Sequence, residues 1–310
     1  MSDSDEPVDA PVDTAFDPAA AFALLGDDTR LRILRALWEA QRDDDTRGTT
    51  PTAVPFERLR ERAGVDDSGR FNYHLGKLTD RFVERVDEGY RLRFAGTRVV
   101  GALLEGTYAP GADLDVPAGG TCHDCGGPLD LTYADERARV ACRDCDHPTS
   151  EFGCPPGVLA GRDPDDLPAV VDTHLRTLLA RARRGICPTC SGPTAIRVHS
   201  TTRDPFGSDE EEPTARPIAT VACQRCGEQI DTGLVTLLVD RPVVVAFLHE
   251  RGVDPEARSL WVLLDDVTED AETVSAEPYR ATATYRVGDD TLTVTVDAEG
   301  AVVGVEEETA

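Results

Sequence analysis

Lysine and aromatic residues are scarce in this sequence. Only Lys77 among its 32 basic residues is a lysine, and aromatic residues make up 5% of the chain. It contains no apolar run near 18 residues, which argues against a membrane-spanning helix. Its acidic N terminus also lacks the charged-then-apolar pattern of a signal peptide. The sequence therefore predicts a cytoplasmic protein with no membrane partner.

The familiar signatures of enzymes are missing as well. The sequence has no Gly-x-Gly-x-x-Gly fingerprint, no P-loop, no nucleophile elbow and no His-Glu-x-x-His zinc motif. We therefore predict that the protein is not an enzyme.

Charge is distributed unevenly along the chain, whose net charge is −26 at pH 7. Residues 1–16 hold five acidic and no basic residues, which predicts a disordered acidic tail. Residues 17–109 are nearly balanced, with 15 basic and 16 acidic residues, whereas residues 110–310 hold 17 basic and 37 acidic residues. This excess of acid resembles that of proteins from salt-accumulating halophiles, where molar salt reduces the Debye length to about 3 Å. Because such salt screens repulsion, the acidity does not exclude DNA as a partner.

The most informative stretch is residues 55–94, which begins with a short amphipathic pattern. Phe56, Leu59 and Ala63 recur at helical spacing, and Gly64 follows them, which predicts a helix ended by a glycine. A second helix is predicted over residues 67–81, because Asp66, Asp67 and Ser68 are suitable N-caps. Its apolar stripe, expected to face the core, consists of Phe71, Leu75, Leu78 and Phe82.

The opposite face of the second helix carries side chains that can donate hydrogen bonds to phosphates and base edges. These are Arg70, Asn72, Tyr73 and Lys77, with His74 at the margin of the face. A polar helix face is often merely solvated, so this pattern alone does not distinguish a DNA contact from a surface helix.

A β-hairpin is predicted next, over residues 82–95. Residues 83–86 and 90–94 alternate around Asp87-Glu88-Gly89, which is typical of a hairpin turn. The hairpin carries Arg91 and Arg93. The order helix, turn, capped helix, hairpin predicts a winged helix-turn-helix, with helix 67–81 in the major groove and the hairpin on flanking backbone.

Residues 31–37 and the run Arg70-Phe71-Asn72-Tyr73-His74-Leu75-Gly76-Lys77-Leu78 resemble the ArsR-type (arsenic-repressor-like) winged-helix regulators. The resemblance covers residues 17–109 and implies a DNA-binding transcription regulator that forms a homodimer through its terminal helices. A helix over residues 97–108 would be one of these, although it could instead close the core of its own domain. Metal-sensing members carry cysteines on the helix before the recognition helix, and residues 56–63 contain none.

Eight of the nine cysteines form four Cys-x-x-Cys pairs. The first set is Cys122, Cys125, Cys142 and Cys145, and the second set is Cys187, Cys190, Cys223 and Cys226. Two such pairs bring four thiolates to one metal ion. The two sets therefore predict two structural Zn²⁺ sites whose coordination shells are filled by cysteine. Disulfides are the competing interpretation, but a cytoplasmic setting argues against them.

Residues 119–154 and 185–232 resemble zinc ribbons, the second with an exposed tip over residues 202–213. His123 and His147 lie beside the first set, but four cysteines suffice, so neither is predicted to bind metal. Cys154 is expected to be a buried free thiol, with a redox or metal-sensing role as the alternative.

The remaining segments complete an α+β fold. Residues 41–55 are predicted to be a solvated loop, residues 110–120 a linker, and residues 163–184 a connecting helix. Residues 233–310 are predicted to form a small α+β segment. In it, helices start at Arg241-Pro242 and Asp254-Pro255, and an antiparallel meander turns at residues 288–290 and 298–300.

The leading hypothesis is a sequence-specific, DNA-binding transcription regulator whose cysteine modules are structural. Its partners would be double-stranded DNA and a second copy of the chain, and the whole arrangement resembles a group of haloarchaeal regulators. The alternative is a zinc-ribbon adaptor that binds a protein of the transcription machinery and has no operator of its own, which the acidity of residues 110–310 suits. RNA binding by the ribbons is disfavoured, because their sparse aromatic residues give no stacking platform.

Overall fold

The computed structural model describes residues 17–43, 53–108, 111, 113–202 and 215–310. The predicted acidic tail lies outside the described residues, as do most of the predicted loop over 41–55 and nearly all of the predicted tip over 202–213. Within the described ranges, no helix combines the length and apolarity that crossing a membrane requires. The chain divides into two compact units, Met1–Tyr108 and Ala109–Ala310.

The described part of the first unit consists of helices and one hairpin. In chain order the elements are α1 (Pro18–Leu25), α2 (Asp28–Arg42), α3 (Phe56–Arg62), α4 (Ser68–Leu78), β1 (Val83–Val86), β2 (Gly89–Leu92) and α5 (Phe94–Glu105).

Aspartate side chains cap the N termini of three of these helices. Asp17, Asp27 and Asp67 each accept a hydrogen bond from a backbone N–H of the first turn, at 2.9, 3.2 and 2.6 Å respectively. Each carboxylate satisfies a donor that has no partner within the helix, and such a cap contributes about 1 kcal/mol. The predicted cap of the second helix is therefore confirmed, with Asp67 as the residue that performs it.

The core of the first unit forms where α2, α3, α4 and the hairpin meet. The predicted stripe of Phe71, Leu75, Leu78 and Phe82 is buried there. The rings of Phe56 and Phe71 meet edge to face, with centroids 4.9 Å apart. Burying one such side chain contributes roughly 1.5–3 kcal/mol, so this stripe fixes which face of α4 points away from the core.

The hairpin is anchored by an additional backbone pair. Val54 and Tyr90 exchange N–H···O hydrogen bonds of 2.7 and 2.9 Å, so residue 54 borders β2. Gly89 has a φ of 144°, and a Cβ at this position would lie 2.2 Å from the Val54 carbonyl oxygen. Glycine is therefore required where the chain turns into β2.

Two predicted boundaries in the first unit are wrong. Helix α4 ends at Leu78 and not at residue 81, because Thr79 is extended and Asp80 takes a φ of 71°. Helix α5 begins at Phe94 and not at residue 97, so β2 is shorter than predicted. Gly96 allows this early start, since a Cβ there would lie 2.3 Å from the Phe82 carbonyl oxygen.

The second unit contains three antiparallel sheets and four α-helices among its described residues. The strands are β3 (Leu114–Thr121), β4 (Pro128–Ala134), β5 (Arg137–Cys142), β6 (Pro148–Gly153), β7 (Thr194–Thr201), β8 (Arg216–Cys223), β9 (Gln229–Gly233), β10 (Thr268–Ala276), β11 (Tyr279–Val287), β12 (Asp290–Asp297) and β13 (Val302–Glu308). The helices are α6 (Leu167–Arg183), α7 (Leu234–Leu238), α8 (Pro242–Glu250) and α9 (Leu260–Val267).

The described strands of this unit pair only with their neighbours in sequence, in the orders β3-β4-β5-β6, β7-β8-β9 and β10-β11-β12-β13. All the pairs are antiparallel. The α+β class is therefore confirmed, and the last sheet contains the predicted meander.

Two helices join the two hydrophobic cores of the second unit. Leu167 and Val171 of α6 pack with the first sheet, whereas Leu179 on the same helix packs with the other two sheets. Helix α9 is divided in the same way, because Trp261 enters the first core and Leu263 the second. The predicted connecting helix therefore contributes to both cores.

A buried carboxylate fixes these two helices to each other. Asp172 on α6 accepts hydrogen bonds from the backbone N–H of Leu260, at 2.6 Å, and from Nε of Arg176, at 2.7 Å. With both oxygens bonded, the buried charge is compensated.

Three predictions for the second unit are wrong. Residues 114–121 form strand β3 and not a linker, with Leu114 opposite Tyr133. The last helix begins at Leu260, with Ser259 at the N-cap position but without a side-chain cap hydrogen bond, and not at Pro255. The final sheet has an additional strand, β10, before the predicted meander.

Candidate functional site

The first cysteine cluster, defined as Cys122, Cys125, Cys142 and Cys145, lies at one end of the first sheet. One pair follows β3, and the other begins at the last residue of β5. The Sγ atoms of Cys122 and Cys145 are 3.7 Å apart, and Cys125 Sγ lies 3.4 Å from those of Cys142 and Cys145. The fold therefore brings the four predicted ligands together.

The second cysteine cluster, defined as Cys187, Cys190, Cys223 and Cys226, has the same construction. One pair lies between α6 and β7, and the other begins at the last residue of β8. The Sγ atoms of Cys187 and Cys226 are 3.8 Å apart, and those of Cys190 and Cys223 are 3.5 Å apart.

The spacing of the thiols fits a tetrahedral metal ion. A Zn–S distance of about 2.3 Å places the sulfur atoms at the corners of a tetrahedron with edges of about 3.8 Å. In both clusters all ligand atoms lie within 4.8 Å of one another. Each cluster can therefore hold one metal ion, and the four-sulfur donor set suits Zn²⁺.

All four Cys-x-x-Cys turns have the same backbone shape. The residue after the second cysteine takes a left-handed φ in each: 73° at Gly126, 60° at Asp146, 56° at Ser191 and 79° at Gly227. This shape directs backbone N–H groups at sulfur, as at Gly127, whose N lies 3.4 Å from Cys125 Sγ. Such donors stabilise thiolates and orient metal ligands.

These backbone donors also lower the pKa of the first cysteine in the second Cys-x-x-Cys pair of each cluster. The backbone N–H of Cys145 lowers the pKa of Cys142 to about 7, and that of Cys226 lowers the pKa of Cys223 to about 6. At Cys145 and Cys226 a backbone N–H also favours the thiolate, but hydrogen bonds with the neighbouring thiols outweigh it and raise the pKa of both to about 12. Metal coordination requires thiolates, so a bound ion would have to compensate the charge of the four sulfur atoms.

Cys154 belongs to neither cluster. It is buried in the core of the first sheet, where burial raises the pKa of its thiol to about 11. Its backbone carbonyl accepts a hydrogen bond from Tyr133 Oη at 3.0 Å. The predicted buried free thiol is therefore confirmed.

Four of the predicted DNA-contact residues on α4 are exposed: Arg70, Asn72, Tyr73 and Lys77. Tyr73 is 61% exposed, which is unusual for a tyrosine in a folded domain. Lys77 Nζ lies 5.5 Å from the centroid of the Tyr73 ring. The face thus presents an amide, an aromatic ring and a cation, the last two close to each other.

Arg70 and His74 also contact the start of α2, although Arg70 remains exposed. Arg70 Nη2 donates to Thr29 Oγ1 at 3.1 Å. The His74 side chain is only 12% exposed, and its Nδ1 lies 3.3 Å from Asp27 Oδ1, although not in hydrogen-bonding geometry. These contacts assign both residues a role in fixing α4 against α2.

The predicted arginines of the hairpin have partners within the first unit. Arg91 Nε contacts Glu84 Oε2 at 2.7 Å across the hairpin, which lowers the pKa of Glu84. Arg93 donates to the Asp80 carbonyl oxygen and precedes α5.

Arg85 on β1 was not predicted as a contact residue. It is exposed, and among the described residues no ion pair or side-chain hydrogen bond involves it. The hairpin register indicates that Arg85 lacks an ion-pair partner on the hairpin. Glu84 stands opposite Arg91, and the neighbouring Arg85 points to the other face.

Comparisons with known proteins give two family matches. A domain of unknown function (DUF7347) matches residues 18–103, and a second domain of unknown function (DUF7351) matches residues 119–302. No curated protein and no solved structure matches the chain. Because the second match spans more than half of the sequence and includes both cysteine clusters, the chain belongs to the DUF7351 family.

Proposed function

We propose that the protein is a DNA-binding transcription regulator whose first unit is a winged helix-turn-helix similar to the ArsR type. Helix α4 would enter the major groove, and the β1–β2 hairpin would contact flanking backbone. The observation that carries the proposal is the division of α4 into a buried stripe and an exposed face. Phe71 and Leu75 fix the helix in the core, while Asn72 and Tyr73 are exposed on the other side.

Charge supports this assignment of DNA to the first unit. Residues 54–98 hold 10 basic and 8 acidic residues, which makes this stretch less acidic than the rest of the chain. At molar salt the attraction to phosphate is screened. Contacts to base edges must then supply more of the affinity, and an exposed asparagine is suited to bidentate recognition of adenine.

The test is DNA binding by the double variant Asn72→Ala/Tyr73→Ala of the full-length chain. Both side chains are exposed, so the substitutions should change folding stability by less than about 0.5 kcal/mol. A good base contact contributes about 1–3 kcal/mol of discrimination, so we expect preference for an enriched genomic fragment over random DNA to fall by about 5- to 150-fold. Fluorescence anisotropy at high salt measures this preference.

Glu61→Ala provides the control, because Glu61 is also exposed on a neighbouring helix of the first unit. It should leave the preference unchanged. Equal preference in the wild type and the double variant would refute the role of α4.

The same proposal includes a homodimer formed through α1 and α5. Phe22 on α1 is 72% exposed, and Leu104 on α5 is 55% exposed. Apolar side chains in such positions favour burial against a partner. Leu104→Glu should shift full-length protein to the monomer in size-exclusion chromatography with light scattering, and a wild type that is monomeric at micromolar concentration would contradict this part.

We propose further that both cysteine clusters hold structural Zn²⁺. The fit of the sulfur spacing to a tetrahedron and the N–H donors at each turn support this. Four thiolates close the coordination shell, so the metal would stabilise the fold and would leave no position for a substrate.

The adaptor hypothesis is the second candidate, and the acidity of residues 110–310 favours it. An acidic surface repels DNA and suits a basic protein partner. If the full chain captured a transcription-machinery protein while enriching no DNA fragment, the adaptor hypothesis would replace the regulator.

A further inference from the structure

A third group of metal-ligating side chains lies beside the first cysteine cluster. It consists of His123, Asp124 and His147, whose ligand atoms all lie within 4.8 Å of one another. Asp124 Oδ1 is 2.8 Å from His123 Nε2, and Asp124 Oδ2 is 2.8 Å from His147 Nδ1. One carboxylate therefore faces a nitrogen of each imidazole ring.

The turns of the first cysteine cluster assemble this group. His123 and Asp124 are the two middle residues of the first Cys-x-x-Cys turn, and His147 follows the second turn by two residues. The two rings meet edge to face, with centroids 4.7 Å apart. The second cysteine cluster has Pro188, Thr189 and Glu228 at the equivalent positions, so its turns cannot form a comparable group.

We propose that His123, Asp124 and His147 form a third metal site, which binds a late first-row divalent ion such as Zn²⁺, Co²⁺ or Ni²⁺. Two imidazoles and one carboxylate are ligands that these ions prefer, whereas Mg²⁺ and Ca²⁺ prefer oxygen alone. A bound ion would hold its donors about 3.3 Å apart. Small rotations of the exposed His123 and Asp124 would widen the 2.8 Å contacts to that separation.

Exposure distinguishes this site from the cysteine clusters. The side chains of His123 and Asp124 are 59% and 46% exposed, so water can complete the coordination shell. A site with three protein ligands and an open position exchanges its metal more readily than a closed four-cysteine site. Occupancy of the third site would therefore rise and fall with the metal concentration. The turns at this end of the first sheet would then sense metal availability.

The third site depends on a metal-loaded first cysteine cluster, so the experiment measures the metal bound by the cysteine clusters and by the third site separately. Full-length protein is passed over a weak chelator resin, and its zinc content is measured by elemental analysis. It is then titrated with Co²⁺ by calorimetry and by visible absorption. We expect two tightly held zinc ions per chain and one further equivalent of Co²⁺, without a sulfur-to-cobalt charge-transfer band.

Three variants test the assignment of the ligands. His123→Ala/His147→Ala and the nearly isosteric Asp124→Asn should keep two zinc ions and lose the additional Co²⁺ equivalent. His249→Ala changes another exposed histidine of the second unit and should keep it. Mg²⁺ should not compete.

The proposal is overturned if the wild type takes up no further Co²⁺, or if Asp124→Asn binds it as well as the wild type does. It is also overturned if the absorption shows sulfur ligation, because Co²⁺ would then have replaced zinc in a cysteine cluster. A zinc content below two ions in the wild type would instead refute the structural zinc proposal.

Discussion

The cysteine clusters allow a comparison of two substitutions that differ only in their relation to metal. Cys142 and Cys154 are both buried, at 3% and 1% exposure, and both contribute to the core of the first sheet. Cys142 Sγ lies 3.4 Å from Cys125 Sγ, whereas Cys154 belongs to no cluster. Cys142→Ala and Cys154→Ala therefore remove the same atoms from similar surroundings.

The expected effects differ widely in size. Cys154→Ala should cost about 1 kcal/mol, as is common for one buried substitution. Cys142→Ala also opens a metal site whose apparent binding free energy is about 10–16 kcal/mol in zinc-finger peptides. That is as large as the whole stability of a domain, about 5–15 kcal/mol, so we expect the first sheet to unfold.

Trp261 provides the optical readout. It is 2% exposed, packs in the core of the first sheet and donates from Nε1 to the Ala118 carbonyl oxygen at 3.2 Å. The other tryptophan, Trp38, belongs to the first unit, so a Trp38→Phe background isolates the signal.

In that background Cys142→Ala should lose one zinc ion per chain and shift the Trp261 emission to the red, while Cys154→Ala keeps two zinc ions and a native spectrum. Equal zinc content and equal thermal unfolding of the two variants would show that Cys142 holds no structural metal ion.

Two further predictions concern the first unit. Gly89→Ala should destabilise it by several kcal/mol, because the new Cβ would meet the Val54 carbonyl oxygen. Gly76 on α4 has open space around it, so Gly76→Ala should stabilise the helix by about 0.5–1 kcal/mol. Chemical denaturation measures both changes in unfolding free energy, and equal changes would contradict the packing around Gly89. The ionised Asp27 carboxylate should stabilise the first unit, and this stabilisation should be lost in acid. Partial burial raises the pKa of its carboxyl, but N–H donation from Arg30 and the nearby His74 outweigh this and lower it below 3.8. This contribution is present above the unfolded pKa and is lost as pH falls through the folded value, so hydrogen exchange of α2 should accelerate below pH 3.8 in the wild type and less so in Asp27→Asn.

Local chemistry was sufficient to predict much of the fold. Asp67 caps α4 because its carboxylate reaches the N–H of Arg70 three residues later, a contact that the sequence itself specifies. The four Cys-x-x-Cys spacings predicted both clusters, since each turn places two thiols on one side. The identity of the first unit as a winged helix-turn-helix remains a prediction.

Other features depend on tertiary contacts and could not be predicted in the same way. Arg70 and His74 lie on the polar side of α4, but only the position of α2 places Thr29 and Asp27 beside them. Strand β3 contains Pro117 and Gly119, which weaken the strand pattern, and its pairing with β4 compensates for this. Gly96 permits the early start of α5 only because it lies against Phe82.

Photocrosslinking from the exposed face of α4 to DNA tests directly whether α4 is the helix that reads DNA. A photoreactive phenylalanine derivative replaces Tyr73 in the full-length chain, and the control places it at Tyr108, which is also exposed, at 78%, but follows α5. With an enriched genomic fragment at high salt, position 73 should crosslink to bases within the bound site and position 108 should not. Crosslinks to DNA from neither position, or from both equally, would contradict the assignment of α4 as the DNA-reading helix.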